Sequence, residues 1–106
     1  MDQDAVFKAV ADPTRRAILQ QLALSGHELT VSEIAGSFDS TRQAITKHLD
    51  ILDAAGLIRT RRTGRERRCA PDLRGLKCIY DWVTYYEDFW KSTLRKLGEH
   101  LDTHPD

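Results

Sequence analysis

With 106 residues, the chain has room for one domain around one hydrophobic core. A composition of 41% hydrophobic and 30% charged residues excludes a disordered chain, and no apolar run approaches the roughly 20 residues that cross a bilayer. Two cysteines, Cys69 and Cys78, are too few for a disulfide scaffold and match no zinc spacing. The start, Met1-Asp2-Gln3-Asp4, is acidic where a secretory signal is basic, so the expected compartment is the cytoplasm, with ordinary thiols.

The net charge of zero conceals a segregation. Residues 1–58 carry five Lys/Arg against eight Asp/Glu, and residues 78–106 carry three against six. Between them, residues 59–77 carry eight Lys/Arg (Arg59, Arg61, Arg62, Arg65, Arg67, Arg68, Arg74, Lys77) against Glu66 and Asp72, a net charge of +6. A solvated loop and a nucleic-acid footprint both fit such a run, and its place in the fold must decide.

In chain order, Asp4 to Ala11 has Ala5, Val6, Ala9 and Val10 at helical spacing. Asp12-Pro13 then restarts the chain with a good N-cap and a proline suited to the first helical position. Ala17, Ile18, Leu22 and Leu24 give this second helix its apolar stripe, and Gly26 ends it. Thr30-Val31-Ser32-Glu33 is a capping-box pattern opening a short third helix that turns Val31, Ile34 and Ala35 inward. Ser40-Thr41-Arg42-Gln43 repeats the device about three residues beyond that helix and opens a fourth, with Ile45, Leu49 and Leu52 on one face and Gly56 at its end.

Leu57 to Thr63 and Glu66 to Pro71 read as two strands around Thr63-Gly64-Arg65, and from Leu73 to Leu101 the pattern is again helical. The expected architecture is mostly α with a β-hairpin wing, in the order α-α-α-α-β-β-α. One domain spans 1–106: a helix-turn-helix at 30–56, a wing at 57–71 and a long terminal helix at 73–101.

A pair of capped helices of this kind places its second member in the DNA major groove. With Ile45, Leu49 and Leu52 inward, 100° per residue turns Gln43, Lys47 and Asp50 outward, with Thr46 at the flank and Ser40, Thr41 and Arg42 at the exposed start. Gln, Arg, Lys and Thr are the types that read base edges or hold phosphates, whereas the Asp50 carboxylate is unfavourable there. His48 projects about 60° from the apolar centre. Both a packed structural histidine and a phosphate contact through the ring tip fit that angle. The hairpin follows directly, so Arg61, Arg62, Arg65, Arg67 and Arg68 become candidates for the flanking backbone or minor groove. Strand alternation turns about half of them toward the domain, and the sequence leaves open which half.

The last helix carries Ile79, Trp82, Val83, Tyr86, Phe89, Trp90, Leu94, Leu97 and Leu101 in a wide apolar stripe. As one helix it would reach roughly 40 Å, past the edge of such a domain, so its far half requires a partner. A two-fold copy is the economical one, joined through Val6, Trp82, Tyr86, Phe89, Trp90, Leu94, Leu97 and Leu101.

Phe7-Lys8-Ala9-Val10-Ala11-Asp12-Pro13-Thr14-Arg15-Arg16-Ala17-Ile18-Leu19 resembles the opening of ArsR-type winged-helix repressors. So do Leu29-Thr30-Val31-Ser32-Glu33-Ile34-Ala35, Ala44-Ile45-Thr46-Lys47-His48-Leu49 and Leu52-Asp53-Ala54-Ala55-Gly56-Leu57-Ile58, over about residues 5–75. The aromatic terminal helix is similar to a branch of that family without metal sites. The resemblance implies a homodimer that represses transcription from a palindromic operator in double-stranded DNA, often at its own promoter. Metal-responsive relatives place paired cysteines where this chain has Thr30 and Ser32, or Asp and His along the last helix, where His100 and His104 stand only at the end. No metal and no cofactor are therefore expected. A thiol response would rest on Cys69, whose neighbours Arg67, Arg68 and Arg74 would lower its pKa if it were exposed, with Cys78 nearby.

Two other readings compete. A winged helix kept as a protein-interaction module fits the acidic flanks and predicts weak, sequence-independent DNA binding. An enzyme finds no support, because the chain has no Gly-rich phosphate loop or nucleophile motif, and its four histidines are scattered.

Overall fold

The computed structural model describes residues 2–103, and in it a side-chain oxygen starts each of the first five helices. Asp2 caps α1 (Gln3–Val10), and Asp12 caps α2 (Pro13–Ser25), whose first position is the proline and whose end is Gly26 at φ 73°. Thr30 and Glu33 form the reciprocal capping box of α3 (Val31–Ala35), at 3.0 and 3.1 Å. Each cap satisfies an amide that the helix itself leaves without a partner. At α4 (Arg42–Ala54) the cap is Thr41, not Ser40: its Oγ accepts from Ala44 N at 3.0 Å.

Ile18, Leu19 and Leu22 of α2, Ile34 of α3 and Ile45, Leu49 and Leu52 of α4 meet in one core. Complete burial of such a side chain contributes roughly 1.5–3 kcal/mol. Leu24 does not join them. It is 79% exposed, because the buried face of α2 runs through Leu19 instead.

The hairpin pairs β2 (Ile58–Thr63) with β3 (Glu66–Pro71) in antiparallel register from Ile58↔Pro71 to Thr63↔Glu66. Gly64 at φ 63° takes the first of two turn residues and Arg65 the second, the pattern of a type II′ hairpin. A third strand, β1 (Leu29–Thr30), absent from the sequence reading, pairs Leu29 with Cys69, so the sheet order is β1-β3-β2. Two residues are too short a run for alternation to signal.

Asp72 then caps α5 (Leu73–Tyr85) from a nearly closed site, where its amide donates to Leu57 O at 2.9 Å. Gly75 brings α5 against the end of α4. A Cβ there would lie 2.8 Å from the Gly56 carbonyl carbon and 3.0 Å from Leu57 Cα.

The single helix expected over 73–101 is two helices. Tyr86, at φ −96° and ψ 0°, donates its amide to Val83 O at 3.1 Å and closes α5 with a tight turn. Its carbonyl accepts from Trp90 N at 3.0 Å in α6 (Glu87–Thr103), whose first turn carries Glu87 and Asp88. Neither Gly nor Pro marks this break. It occurs where Tyr86 packs edgewise on Tyr85 (centroids 4.9 Å apart) and at a tilt on Trp82 (5.1 Å). The tail still gives a long molecule of 66 × 30 × 23 Å, with a radius of gyration of 18.7 Å where a compact chain of this size has roughly 13 Å.

Val6 belongs to the core and not to any interface. It has no exposed surface, because α1 turns Val6 and Ala9 inward, while Phe7 meets Trp82 of α5 edge-to-face at 5.4 Å.

Gly75→Ala should lower stability by about 1–3 kcal/mol, since backbone, not a flexible side chain, stands in the way; the midpoint of urea unfolding measures this. Arg74 and the helix amide hold the Asp72 carboxyl down to about 2. A carboxylate depressed in the fold stabilises above its unfolded value and loses that contribution as pH falls toward the folded one. Stability should therefore decline between about pH 4 and pH 2, and Asp72→Asn should flatten that decline in acid-unfolding curves.

Candidate nucleic-acid interface

Between α3 and α4 the chain runs through Gly36–Thr41, longer than the three residues expected. Helical-type bonds continue into it, from Ser37 N to Ile34 O and from Phe38 N to Ala35 O, and Phe38 packs on the core. The open part is then Asp39–Thr41. Gln21 of α2 donates to Ser37 Oγ at 3.0 Å and ties this turn down.

Burial of Ile45, Leu49 and Leu52 fixes the roll of α4, which leaves Ser40, Thr41, Arg42, Gln43, Lys47 and Asp50 exposed. The side chains of Arg42, Gln43 and Lys47 have no hydrogen-bond or ionic partner among the described residues. Thr46 is half-buried and donates back to Arg42 O at 2.9 Å, so its hydroxyl already serves the helix. His48 is also half-buried, with Nδ1 3.3 Å from Arg15 Nη1 and 3.9 Å from Asp12 Oδ2.

The register of the hairpin sorts the wing arginines, which the sequence could not do. Arg62 pairs with Arg67 on the face shared with Ile58, Thr60 and Cys69, and Arg61 pairs with Arg68 on the other. On the first face Arg67 is largely covered and bridges back to α4, 2.8 Å from Asp50 Oδ1 and 3.7 Å from Asp53 Oδ2. Thr60 adds a bond to Asp53 at 3.3 Å. The outward Asp50 is thus neutralised by the wing. On the other face Arg61 makes a bidentate bond to Glu28, at 2.6 to 3.0 Å, and Arg68 meets Glu66 at 2.9 Å. The guanidinium holds the Glu28 carboxyl below the usual carboxylate range.

Arg62 and Arg65 remain exposed and unpaired among the described residues, as does Arg59, which the sequence reading counted in the basic run but did not single out. Of the expected wing contacts, then, Arg62 and Arg65 are available, while Arg61 and Arg67 are engaged in holding the wing. The salt-bridge role of Asp50 and the anchoring role of Glu28 carry no local sequence signal; both depend on strand register.

Cys69 is an ordinary buried thiol, and the exposure that a thiol response would require is missing there. Its side chain faces the core and has no exposed surface, and burial pushes the thiol up despite Arg67 nearby. Cys78 is half-buried on α5. Thr30 is the buried cap of α3, and among the described residues no three His, Cys, Asp or Glu side chains gather as a metal site. His104 lies outside the described residues. No helix among them is long and apolar enough to cross a membrane.

Beyond the head, α5 and α6 expose a continuous apolar face. Trp82, Val83, Tyr86, Phe89 and Trp90 line an open cavity of about 360 Å³ at the helix break, and Leu94, Leu97 and Leu101 extend the row, each more than half exposed. The cavity walls are almost wholly apolar, which suits packing against another apolar surface rather than a polar ligand.

Residues 10–61 match a helix-turn-helix domain family. The chain is 33% identical over 103 residues to the HTH-type transcriptional regulator Rv2034 of Mycobacterium tuberculosis, covering 97% of this chain and 92% of that one. It superposes on the crystal structure of an ArsR family transcriptional regulator with a TM-score of 0.73 at 38% identity, over 84% of this chain and 90% of the other. A solved homodimeric winged helix-turn-helix DNA-binding domain from Mycobacterium bovis, described as a possible ArsR-family regulator, matches with a TM-score of 0.64 at 26% identity, over 80% and 77%. A capped helix pair with its polar face free, a basic hairpin strapped beside it and near full-length relatives of this kind converge: the chain belongs to the ArsR family of winged helix-turn-helix proteins and is a DNA-binding transcriptional regulator.

Proposed function

We propose that the chain is a cytoplasmic, non-catalytic homodimeric repressor that occupies a palindromic operator, at its own promoter or an adjacent operon. The observation that carries the DNA-contact set is the group of polar side chains left without partners: Arg42, Gln43 and Lys47 on α4, and Arg62 and Arg65 on the wing. In a fold that pairs most of its other arginines, these side chains, like that of Arg59, are free to meet an acceptor. Arg42 and Gln43, at the N-terminal turn of α4, take base edges in the major groove, where bidentate donors discriminate most strongly. Lys47 and the two wing arginines take phosphates. Ser40 and Thr41, at the positive end of the helix, add short-range contacts to the backbone. Two such units lying on a promoter repress it by occlusion.

The dimer rests on the exposed row Trp82, Tyr86, Phe89, Trp90, Leu94, Leu97 and Leu101, too large an apolar surface to remain in water. The homodimeric relative from Mycobacterium bovis supports the same assembly. A two-fold axis through this tail sets two copies of α4 about one DNA turn, roughly 34 Å, apart.

Arg42→Ala or Gln43→Ala is expected to cost about 1–3 kcal/mol in binding to the DNA upstream of the gene, with little change on scrambled DNA. Arg62→Ala and Arg65→Ala should weaken both DNAs alike, and each should lower the slope of log affinity against log salt by about 1. Fluorescence anisotropy at several salt concentrations reads both effects, and weak binding that is equal on every DNA and indifferent to Arg42 would favour a protein-interaction module instead. Trp90→Glu and Leu97→Glu should each convert the dimer to a 12.1 kDa species in light scattering. A parent chain that already has that mass would exclude the tail as a two-fold seam.

A further inference from the structure

Arg15, in the first turn of α2, uses its polar atoms inside the fold. Its amide donates to Asp12 at 3.0 Å, Nε to Ala9 O at 2.7 Å and Nη2 to Lys8 O at 3.2 Å. The two carbonyls belong to the last turn of α1, where a cation is favoured and where acceptors otherwise lack partners. The remaining arm, Nη1, reaches across to α4 and lies 3.3 Å from His48 Nδ1.

A guanidinium can only donate, so in this contact Nδ1 accepts, and a neutral imidazole then carries its hydrogen on Nε2. Asp12 Oδ2, also near Nδ1, is 3.9 Å away, beyond hydrogen-bond range, and already accepts from the Arg15 amide. Nε2 has no partner among the described residues and is not one of their buried, unsatisfied atoms, so it opens to solvent. His48 stands on the flank of α4, beside outward-facing Lys47. Where Gln43 and Lys47 face the floor of a groove, a donor on the flank meets its wall, which is sugar and phosphate.

We infer that Arg15 is a positioning residue for DNA binding: by donating to His48 Nδ1 it fixes the Nε2–H form of the ring and aims that N–H at a backbone phosphate. This rests on the placement of α4 in the major groove. His48 is then both packed and functional, one nitrogen turned to the fold and the other to DNA.

A phosphate contact forms on any sequence, so the test uses the full chain and a labelled duplex of mixed sequence, with a thermal melt of every variant. His48→Asn keeps an oxygen for Arg15 near the Nδ1 position but leaves nothing at Nε2. It should melt within a few degrees of the parent and bind about tenfold more weakly. His48→Gln, whose amide nitrogen reaches the Nε2 position, should recover binding to within about threefold of the parent. Arg15→Lys keeps a cation on the α1 carbonyls but cannot also hold the ring. It should weaken binding in the parent and add no further loss in the His48→Asn background.

The salt slope should not change in His48→Asn, because a neutral ring releases no counterion. A slope shallower by about 1 would mean that an imidazolium makes the contact, and would overturn the assigned form of the ring. If His48→Asn binds as the parent does while Lys47→Ala binds more weakly, the inference fails and the groove placement survives. If the parent does not bind the duplex at all, both fail.

Discussion

The arrangement of the whole molecule depends on one place where two backbones touch. Gly56 ends the recognition helix in a left-handed conformation, at φ 78°, and Gly75 lays α5 directly over it. The Asp72 amide bonds to Leu57 O on one side of this contact, and the Asp72 carboxylate starts α5 on the other. With no side chain between them, the end of α4 and the start of the tail form a joint with little room to slide. Everything beyond it is oriented by it: α5 carries the aromatic face, and α6 follows through the turn at Tyr86. The direction in which the aromatic face of α5 leaves the domain relative to α4 is therefore set at Gly56 and Gly75.

The charges follow a second rule, in which arginines that oppose each other across the hairpin are partnered by acids, from α4, from Glu28 and from the hairpin's own Glu66. Arg62 and Arg67 stand opposite, as do Arg61 and Arg68, and like charges so placed destabilise a strand pair. Asp50 and Asp53 from α4 relieve the first pair, and Glu28 and Glu66 relieve the second. Exposed ion pairs of this kind contribute little to stability, generally under about 1 kcal/mol each. Their effect is geometric: two carboxylates of α4 orient the wing beside the helix, and the choice of partner leaves Arg62 and Arg65 free.

Most of the head was legible in the sequence because its signals are local. Asp12-Pro13, the Thr30–Glu33 box, Gly26 and the Gly64 turn each act within four residues, and Ile45, Leu49 and Leu52 suffice to roll α4 correctly. The N-terminal boundary of α4 lies one residue later than the sequence suggests because Ser40 and Thr41 are chemically equivalent caps. Val6 fits a dimer seam in the sequence because helical spacing does not distinguish a face packed on its own domain from one packed on a copy. The break at Tyr86 was invisible, since neither Gly nor Pro marks it and the apolar spacing runs on through it. Of the site, the outward face of α4 was readable, but the division of wing arginines into anchored and free was not. Neither was the clasp of Arg15 on His48, which spans 33 residues of sequence.

The balanced charge of the chain changes how it would search a chromosome. A strongly basic protein is drawn to DNA from any angle and adheres everywhere, whereas this one has no net charge to feel a polyanion at long range. With the contact set proposed above, its attraction is vectorial: it grows when the face bearing Arg42, Lys47, Arg62 and Arg65 is turned toward the duplex and comes within a Debye length, roughly 8 Å in physiological salt. Encounters in any other orientation are brief. The same neutrality that hides the interface in a whole-chain count confines the pull of unrelated sequence to that one face.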